Sequence, residues 1–449
     1  MNTPICDFVK SYRDSNAIRL HMPGHKGNAF IGAESLDITE IDGADVLYSA
    51  NGIIAESQQN ASELFGTAKT LYSCEGSSLA IRAMLYLAKL CSSTDSNTIL
   101  ASRNAHKTFM SGVALSGLDV EWLYDENADG ILSCRVTPEQ LKAKLNAMEK
   151  KPVAFYITSP DYLGNIADIK ALSQVCKEEN ILLLCDNAHG AYLAFTRENT
   201  HPIALGAHMC CDSAHKTLPV LTGGAYLHIS KNAPCNILEN AQRAMSLFAS
   251  TSPSYLILQS LDRANAYISD GYEEKLQKCI DKANKLKEAL SEHGYTICGD
   301  EELKLTIFAK SYGYTGTELG NFLAQNNIIC EFCDPDFLVL MFNPENRESI
   351  FTIIEKVLKS LPQKDAIKKR APHLDITRKI ISPRQAIFSE SETVDISCAT
   401  GRVLASEAVS CPPAIPVVVC GEEINESAVK LFGYYGIHSV AVTKQRKKF

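Results

Sequence analysis

The 449-residue sequence has no apolar run that approaches the ~20 residues needed to span a bilayer. Its first residues, MNTPICDFVKSYRDS, contain no apolar core of signal-peptide length. Positive charge is not in excess: the formal net charge of −8 argues against broad binding to nucleic acid or to a membrane surface. We therefore expect a cytosolic, cytoplasmic protein whose sixteen cysteines are reduced thiols. Its length predicts roughly two to three domains.

Cysteines at metal-ligand spacing are also scarce. Cys330 and Cys333 form the only C-x-x-C, and no second pair completes a zinc site. The surrounding run, IICEFC, resembles a strand, and alternate faces of a strand would hold Cys330 apart from Cys333. This favours a structural role over metal or redox use, and no metal site is predicted.

Nucleotide-binding patterns are missing as well. The segment Gly76-Ser77-Ser78 follows a short strand-like stretch and opens a helix, where free N–H groups, hydroxyls and the helix dipole suit a phosphate. It lacks the lysine of a P-loop and the three glycines of a dinucleotide site, so ATP and NAD are poor candidates. The signal is weak by itself, because serine is simply a favoured helix N-cap.

Two apolar runs, 181–185 and 208–211, end in residues that carry chemistry. The first run ends in Asp186, and His189 comes three residues later. The second is followed by a hydroxyl, an imidazole and an amine: Ser213, His215 and Lys216. Two neighbouring strands would deliver these groups to their carboxyl ends, which is the edge of an open α/β sheet where ligands bind.

A lysine with a lowered pKa forms a Schiff base with an aldehyde, and an aspartate facing a pyridine nitrogen keeps that nitrogen protonated. Lys216 and Asp186 are therefore the minimal pair for pyridoxal phosphate. The alternative is a solvated lysine after one strand and a helix-capping aspartate after another. The local pattern alone leaves both interpretations open.

Strands and helices alternate through much of the chain, which predicts a doubly wound, mostly parallel α/β sheet. His106 follows one of these strands, where an imidazole can lie on a flat ring or simply begin a helix. We expect an N-terminal arm (1–60), a large cofactor domain (61–290), a small α+β domain (291–365) and a C-terminal domain (366–449).

With these pieces placed, the sequence resembles the Orn/Lys/Arg decarboxylases, the pyridoxal-phosphate-dependent basic amino-acid decarboxylases. The resemblance covers nearly the whole chain and is to the short form of the family, which lacks an N-terminal receiver-like wing. Its motifs occur in the family's order: HMPGHKG (21–27), DITEIDGADVL (37–47), CEGSSLAIRAM (74–84), RNAHKTFMSGVALSG (103–117), TSPDYLGNIADI (158–169), CDNAHGAYLAF (185–195), DSAHKTLPVLTGG (212–224), STSPSYLILQSLD (250–262) and ISPRQAIFSESETV (381–394).

The resemblance implies an aspartate-aminotransferase-like sheet (fold type I) and a role for each site residue. Lys216 would carry the cofactor covalently, with His215 beside it near the substrate. Asp186 would pair with the ring nitrogen, His189 would lie near the ring oxygen, and His106 would stack on the ring. The phosphate would be held by Gly76, Ser77, Ser78 and Ser213.

The resemblance also implies a homodimer or higher homo-oligomer whose site is completed across the interface, with residues 250–252 supplied by the partner. The implied reaction is decarboxylation of arginine, lysine or ornithine to an amine that feeds polyamine synthesis. Asp161 and Glu331 are candidate partners for the substrate's distal cation, although both could be ordinary solvated acids. Glu75 departs from the family pattern, because a carboxylate beside a phosphate is repulsive unless it points away.

Two other functions stay open. An aminotransferase or a lyase would use the same cofactor and fold, although such enzymes usually fix the substrate carboxylate with an arginine that the core motifs do not offer. A catalytically idle relative would act as a binding or regulatory partner, although the intact Lys216 and Asp186 argue against it.

Overall fold

The computed structural model describes residues 1–92, 94–125, 131–411 and 415–444. The chain divides into two compact units. The first comprises Met1–Asp95, Val153–Tyr156 and Ile169–Lys275. The second comprises Ser96–Pro152, Ile157–Asp168 and Leu276–Phe449.

The α-helices of the described residues are short to medium in length. They are α1 (Pro4–Asp14), α2 (Ile53–Phe65), α3 (Gly76–Leu90), α4 (Lys107–Ser116), α5 (Pro138–Ala147), α6 (Ile169–Glu178), α7 (Ala214–Thr217), α8 (Cys235–Phe248), α9 (Tyr255–Ile268), α10 (Tyr272–Glu292), α11 (Gly316–Gln325), α12 (Ser349–Lys359), α13 (Pro383–Ile387) and α14 (Glu426–Tyr434).

The strands of the same residues have two to five residues each. They are β1 (Lys69–Ser73), β2 (Thr98–Ser102), β3 (Asp119–Leu123), β4 (Ala154–Thr158), β5 (Leu182–Asp186), β6 (Met209–Asp212), β7 (Ala225–Ile229), β8 (Thr296–Cys298), β9 (Lys304–Phe308), β10 (Phe332–Cys333), β11 (Phe337–Met341), β12 (Ser391–Asp395), β13 (Ala408–Cys411), β14 (Ile415–Val419) and β15 (Ser439–Thr443).

The largest sheet has seven strands in the order β1-β7-β6-β5-β4-β2-β3. The pairs β2–β3 and β5–β6 are parallel, whereas β7 runs antiparallel to both β1 and β6. Every residue of β5, β6 and β7 is buried, which explains the uninterrupted apolar runs, because strands covered on both faces have no need for alternation. The predicted mostly parallel α/β sheet is confirmed.

The helix boundaries follow local signals in the sequence. Thr137 and Gln140 form a capping box at the start of α5, with Pro138 in the first turn. The long helical stretch after α8 consists of two helices, α9 and α10. They are separated at Gly271, whose φ of +70° is the left-handed conformation that ends helices.

The second unit contains a four-stranded sheet in the order β10-β11-β9-β8 and two pairs, β12–β15 and β13–β14. The region 291–365, which is predicted to be α+β, contains β8, β9, α11, β10, β11 and α12. The C-terminal segment has a buried core of its own, built from α14, β14 and β15. The fourfold division by residue range stays a proposal.

The C-x-x-C pair differs from the expectation. The strand there covers only Phe332–Cys333, so the alternation of faces does not extend back to Cys330. A Cβ placed on Gly320 of α11 would lie 2.7 Å from the Cys333 sulfur and 3.6 Å from the Cys330 sulfur. Both thiols therefore border the same glycine, and the expected separation of Cys330 from Cys333 is wrong.

Among the helices of the described residues, none combines the length and the apolar character that crossing a bilayer requires.

Candidate active site

Lys216 and Asp186 come from the ends of neighbouring strands. Asp186 is the last residue of β5, and Lys216 lies in the short helix α7 that follows β6. The two strands are parallel, and Asp186 pairs in register with Cys211. The predicted delivery of a carboxylate and an amine to one sheet edge by two adjacent strands is thus confirmed. Parallel pairing places both carboxyl ends on the same side.

The Asp186 carboxylate is buried and accepts three donors. The Tyr156 hydroxyl donates to Oδ2 at 3.0 Å, and the Ala188 N–H donates to Oδ1 at 3.2 Å. The Cys211 thiol also approaches Oδ1, at 3.4 Å. Burial, reinforced by the neighbouring carboxylate, raises the pKa of Tyr156 and the pKa of Cys211 well above their ordinary values. Both groups therefore keep their protons and act as permanent donors that fix the orientation of the carboxylate.

The amine of Lys216 contacts an imidazole from the other strand end. Its Nζ lies 3.0 Å from Nε2 of His189. His189 is carried by the turn after β5, where Gly190 N–H bonds the carbonyl of Asn187 at 2.8 Å. The structure thus brings the lysine and the first of the predicted histidines into direct contact, while the role of His189 at a ring oxygen stays a prediction.

His215 is held by one carbonyl through two nitrogens. Its backbone N–H and its Nδ1 bond the carbonyl of Gly224 at 3.2 and 3.0 Å. A carbonyl only accepts, so Nδ1 carries the proton and, in the neutral ring, Nε2 is the nitrogen with the lone pair. His215 therefore has a defined tautomer, in which Nε2 takes up a proton before it can donate one.

The predicted phosphate residues lie at the start of α3 and at the end of β6. The Ser213 hydroxyl donates to the Ser77 hydroxyl at 2.8 Å, so two segments distant in sequence present their oxygens together. Gly76 has a φ of +70°, and a Cβ there would meet nothing within 4 Å. Ser78 is half-buried in the same first turn. This open helix N-terminus with adjacent hydroxyls has the donor set that an anionic phosphate requires.

Glu75 stands before this helix as an exposed side chain. Its Oε1 accepts the backbone N–H of Ser250 at 2.6 Å. The carboxylate is therefore bonded to the loop before α9. The contribution of residues 250–252 across a subunit interface stays a prediction.

The remaining candidates lie in the second unit. His106 is the N-cap of α4, where its Nδ1 accepts the N–H of Thr108 at 3.2 Å. Its stacking role stays a prediction. Asp161 is buried, and both carboxylate oxygens accept from Asn165, each at 2.8 Å. Glu331 is exposed and accepts the hydroxyl of Tyr162 at 3.2 Å, and a role of either acid at the distal cation of a substrate stays a prediction.

Three polar residues near Asp186 and Asp212 were not singled out from the sequence. Tyr156 and Cys211 bond Asp186, and Asn187 bonds the Asp212 carboxylate at 2.8 Å. Neither partner of Asp186 gives a signal in the sequence. Cys211 lies opposite Asp186 only through the register of β5 and β6, and a tyrosine in an apolar strand is ordinary.

These donors fit pyridoxal phosphate. Lys216 offers a primary amine for the aldehyde, and Asp186 offers a buried carboxylate for the ring nitrogen. The hydroxyls of Ser77 and Ser213, at a helix N-terminus, form a binding site for the phosphate. The sheet and this set of groups define a pyridoxal-phosphate-dependent α/β enzyme.

The chain belongs to the Orn/Lys/Arg decarboxylase family. The family's major domain matches residues 3–302, and its C-terminal domain matches residues 365–444. The protein is therefore a decarboxylase whose cofactor is pyridoxal phosphate. The predicted family, fold class and cofactor are confirmed.

Individual proteins are similar to this chain over nearly its full length. The uncharacterized protein YaaO of Bacillus subtilis is 32% identical, over 96% of this chain and 93% of that protein. An arginine decarboxylase of the same organism is 28% identical, over 95% and 92%. Lysine decarboxylase A from Pseudomonas aeruginosa has the same fold, with a TM-score of 0.82 at 17% identity, over 98% of this chain and 80% of that one.

Proposed function

We propose that this enzyme decarboxylates a basic amino acid, namely arginine, lysine or ornithine, to the corresponding amine, which feeds polyamine synthesis. The observation that carries the proposal is the placement of Lys216 and Asp186 on adjacent parallel strands. Relatives of similar length named arginine decarboxylases make arginine the first substrate to test.

Each residue of the site has a defined task in this proposal. When bound, the cofactor supplies an electron sink for the bond pair released as CO2 leaves. Lys216 holds the cofactor through its amine, and His189, 3.0 Å away, accepts the proton that this amine must lose. Asp186, oriented by Tyr156, keeps the ring nitrogen protonated. Lys216 or His215 then returns one proton to the α-carbon, which completes the amine.

We also propose a cytoplasmic homodimer or higher homo-oligomer. Its support is a segment of the first unit in which several large apolar side chains face solvent in the single chain: Ile18, Leu20, Met22, Phe30 and Ile31, exposed by 86, 88, 65, 78 and 88%. A soluble monomer rarely leaves such a group uncovered. Sedimentation of the purified protein would test this, since a monomer at all concentrations would contradict it.

The reaction is tested by incubating the purified full chain with pyridoxal phosphate and each basic amino acid separately. We expect CO2 and a single amine, identified by mass spectrometry, from one of the three substrates, and none from the Lys216→Ala variant. A keto acid without CO2 would instead identify an aminotransferase. Turnover of none of the three by a protein that binds the cofactor would identify an idle relative.

A further inference from the structure

Asp212 is a buried carboxylate at the start of the segment that carries the lysine. It ends β6 and immediately precedes Ser213. Its side chain is fully buried and has two imidazoles on one oxygen: Nε2 of His201 at 3.0 Å and Nε2 of His228 at 3.1 Å from Oδ2. The other oxygen accepts the amide of Asn187.

The imidazoles donate to this carboxylate. The backbone N–H of Ile203 bonds Nδ1 of His201 at 3.3 Å, so Nδ1 accepts and Nε2 carries the proton. Burial alone would raise the pKa of the Asp212 carboxyl, but the two imidazoles outweigh it and hold that pKa well below its ordinary value. Burial lowers the pKa of His228, against the opposing effect of Asp212. The group is therefore a buried anion with two imidazole donors on one oxygen and an amide donor on the other.

The same tautomer argues against a metal ion. His201, Cys210 and Asp212 lie close enough together to ligate one. A metal needs the Nε2 lone pair of His201, yet that nitrogen is protonated because Nδ1 already accepts a backbone N–H. The cluster is a hydrogen-bonded carboxylate, and one of the groups that it binds is Asn187 in the turn after β5.

Asn187 joins this carboxylate to the turn after β5. Its backbone N–H bonds the carbonyl of Cys211 at 3.0 Å, and its side-chain amide bonds Asp212 at 2.8 Å. The turn closes tightly around it, because a Cβ on Gly190 would lie 2.0 Å from Asn187 Oδ1. Asn187 thus has one packed orientation, with its amide nitrogen towards Asp212.

The turn held in this way carries Asp186 immediately before Asn187 and His189 two residues after it. On the other side, Asp212 precedes Ser213 and lies four residues before Lys216. One side-chain hydrogen bond therefore spans the two segments that supply the groups for ring nitrogen, amine and phosphate.

We propose that Asp212 is a positioning residue, whose buried carboxylate acts through Asn187 to hold the turn of Asp186 and His189 against the segment of Ser213 and Lys216. The proposal rests on the proposed function only in that these four residues bind the cofactor. Asp212 itself touches none of the reacting atoms.

Exchanging the side chains at positions 187 and 212 tests the hydrogen bond between Asn187 and Asp212. In Asn187→Asp two carboxylates face each other, and in Asp212→Asn an amide must face the imidazole N–H groups. Each single variant should weaken the affinity of the cofactor-free full chain for pyridoxal phosphate by about tenfold to a hundredfold, the value of a broken buried hydrogen bond. In the double variant, the amide at position 212 donates to the carboxylate at position 187, and the amide oxygen accepts from both imidazoles. Affinity should therefore return to within about threefold of wild type.

Asp262→Asn is the matched control. Asp262 is equally buried in the first unit, where it accepts the Ser57 hydroxyl at 2.6 Å and the Cys6 N–H at 2.9 Å, bonds that involve no residue of the lysine site. It should lower the midpoint of thermal unfolding and leave the dissociation constant of the cofactor unchanged. If Asp212→Asn fails to fold, Asn187→Ala removes the bridge alone and should still weaken cofactor binding.

Two results would overturn the proposal. One is a set of Asn187 and Asp212 variants that lose thermal stability but bind the cofactor as tightly as wild type, as Asp262→Asn should. The other is a double variant that binds no better than the weaker single variant. Wild type that binds the cofactor but decarboxylates no basic amino acid would overturn only the proposed function, because the binding measurements do not depend on turnover.

Discussion

The amine of Lys216 lies 3.0 Å from Nε2 of His189, and the two residues come from the ends of different strands. An amine attacks an aldehyde only in its neutral form, so a neighbouring imidazole that accepts its proton accelerates the attack. This contact relates the pairing of β5 and β6 directly to the chemistry of the lysine.

We predict that His189→Leu slows covalent attachment of pyridoxal phosphate to Lys216 by about a hundredfold, the usual contribution of a positioned proton acceptor. His189→Gln, which keeps a hydrogen-bonding side chain of similar length, should have a smaller effect. The reaction is quenched with borohydride at set times, and the fraction of protein that carries the cofactor is measured by mass spectrometry. Equal rates in wild type and His189→Leu would show that the contact does not activate the lysine.

The proposed phosphate-binding serines give a second prediction. Ser77→Ala and Ser213→Ala each remove one of two hydroxyls that lie 2.8 Å apart, and each should weaken cofactor binding by about tenfold to a hundredfold, since a hydrogen bond to a charged group contributes about 1.5–3 kcal/mol. Glu75→Gln is the control, because its Oε1 is bonded to the Ser250 N–H and an amide oxygen can accept the same bond. Its affinity should stay within about threefold. A larger change in cofactor affinity in Glu75→Gln than in Ser77→Ala would contradict the assignment of Ser77 to the phosphate.

Tyr156→Phe removes the hydroxyl that donates to Asp186 at 3.0 Å. A buried carboxylate oxygen would lose a donor, so we expect the free energy of unfolding of the cofactor-free protein to fall by about 1–3 kcal/mol. Urea unfolding followed by circular dichroism measures this. Tyr226→Phe is the matched control, because the Tyr226 hydroxyl is equally buried and has no hydrogen-bond partner in the described part of the chain. A loss in Tyr226→Phe as large as in Tyr156→Phe would show that the bond to Asp186 is not the cause.

Asp334 gives a pH-dependent prediction for the second unit. Burial raises the pKa of its carboxyl from 3.8 to about 6, while Asp336 N–H and Phe337 N–H donate to Oδ1 at 2.7 and 2.6 Å. The folded state therefore binds this proton more tightly than the unfolded state. The protonated Asp334 carboxyl contributes to stability below about pH 4. As the pH rises to about 6 this contribution is lost, and the free energy of unfolding falls by up to about 3 kcal/mol.

Asp334→Asn cannot titrate, so its melting temperature should rise relative to that of wild type between pH 4.5 and pH 7. Asp365→Asn makes the same charge change at an exposed position and should show no such relative rise. Differential scanning calorimetry at intervals of half a pH unit measures the difference. A constant offset between Asp334→Asn and wild type across this range would exclude Asp334 as the titrating group.

Local patterns predicted much of the architecture. The apolar runs that end in Asp186 and Asp212 are strands because strands covered on both faces are apolar throughout. The capping box at Thr137 lies where its side chains indicate. The C-x-x-C pair failed because the prediction assumed a strand from 328, whereas the strand begins at Phe332 and both thiols reach Gly320.

The chemistry of the site could be predicted in kind but not in its supporting contacts. Asp186 ends one buried strand and Lys216 follows another, and the sequence alone indicates both positions. The partners of Asp186, however, come from Tyr156 on one neighbouring strand and Cys211 on another. No spacing rule connects positions that are 30 and 25 residues from Asp186 in the chain.

The amino-acid sequence by itself determined the class of sheet, the residues at its strand ends and the family, because these depend on periodicity and on side-chain types at short spacing. Only the tertiary structure decided which of those side chains touch. His189 reaches Lys216, Asn187 reaches Asp212, and Asp161 is committed to Asn165. Such contacts depend on strand register and on the tautomer that each neighbouring donor imposes, and both are properties of the folded chain.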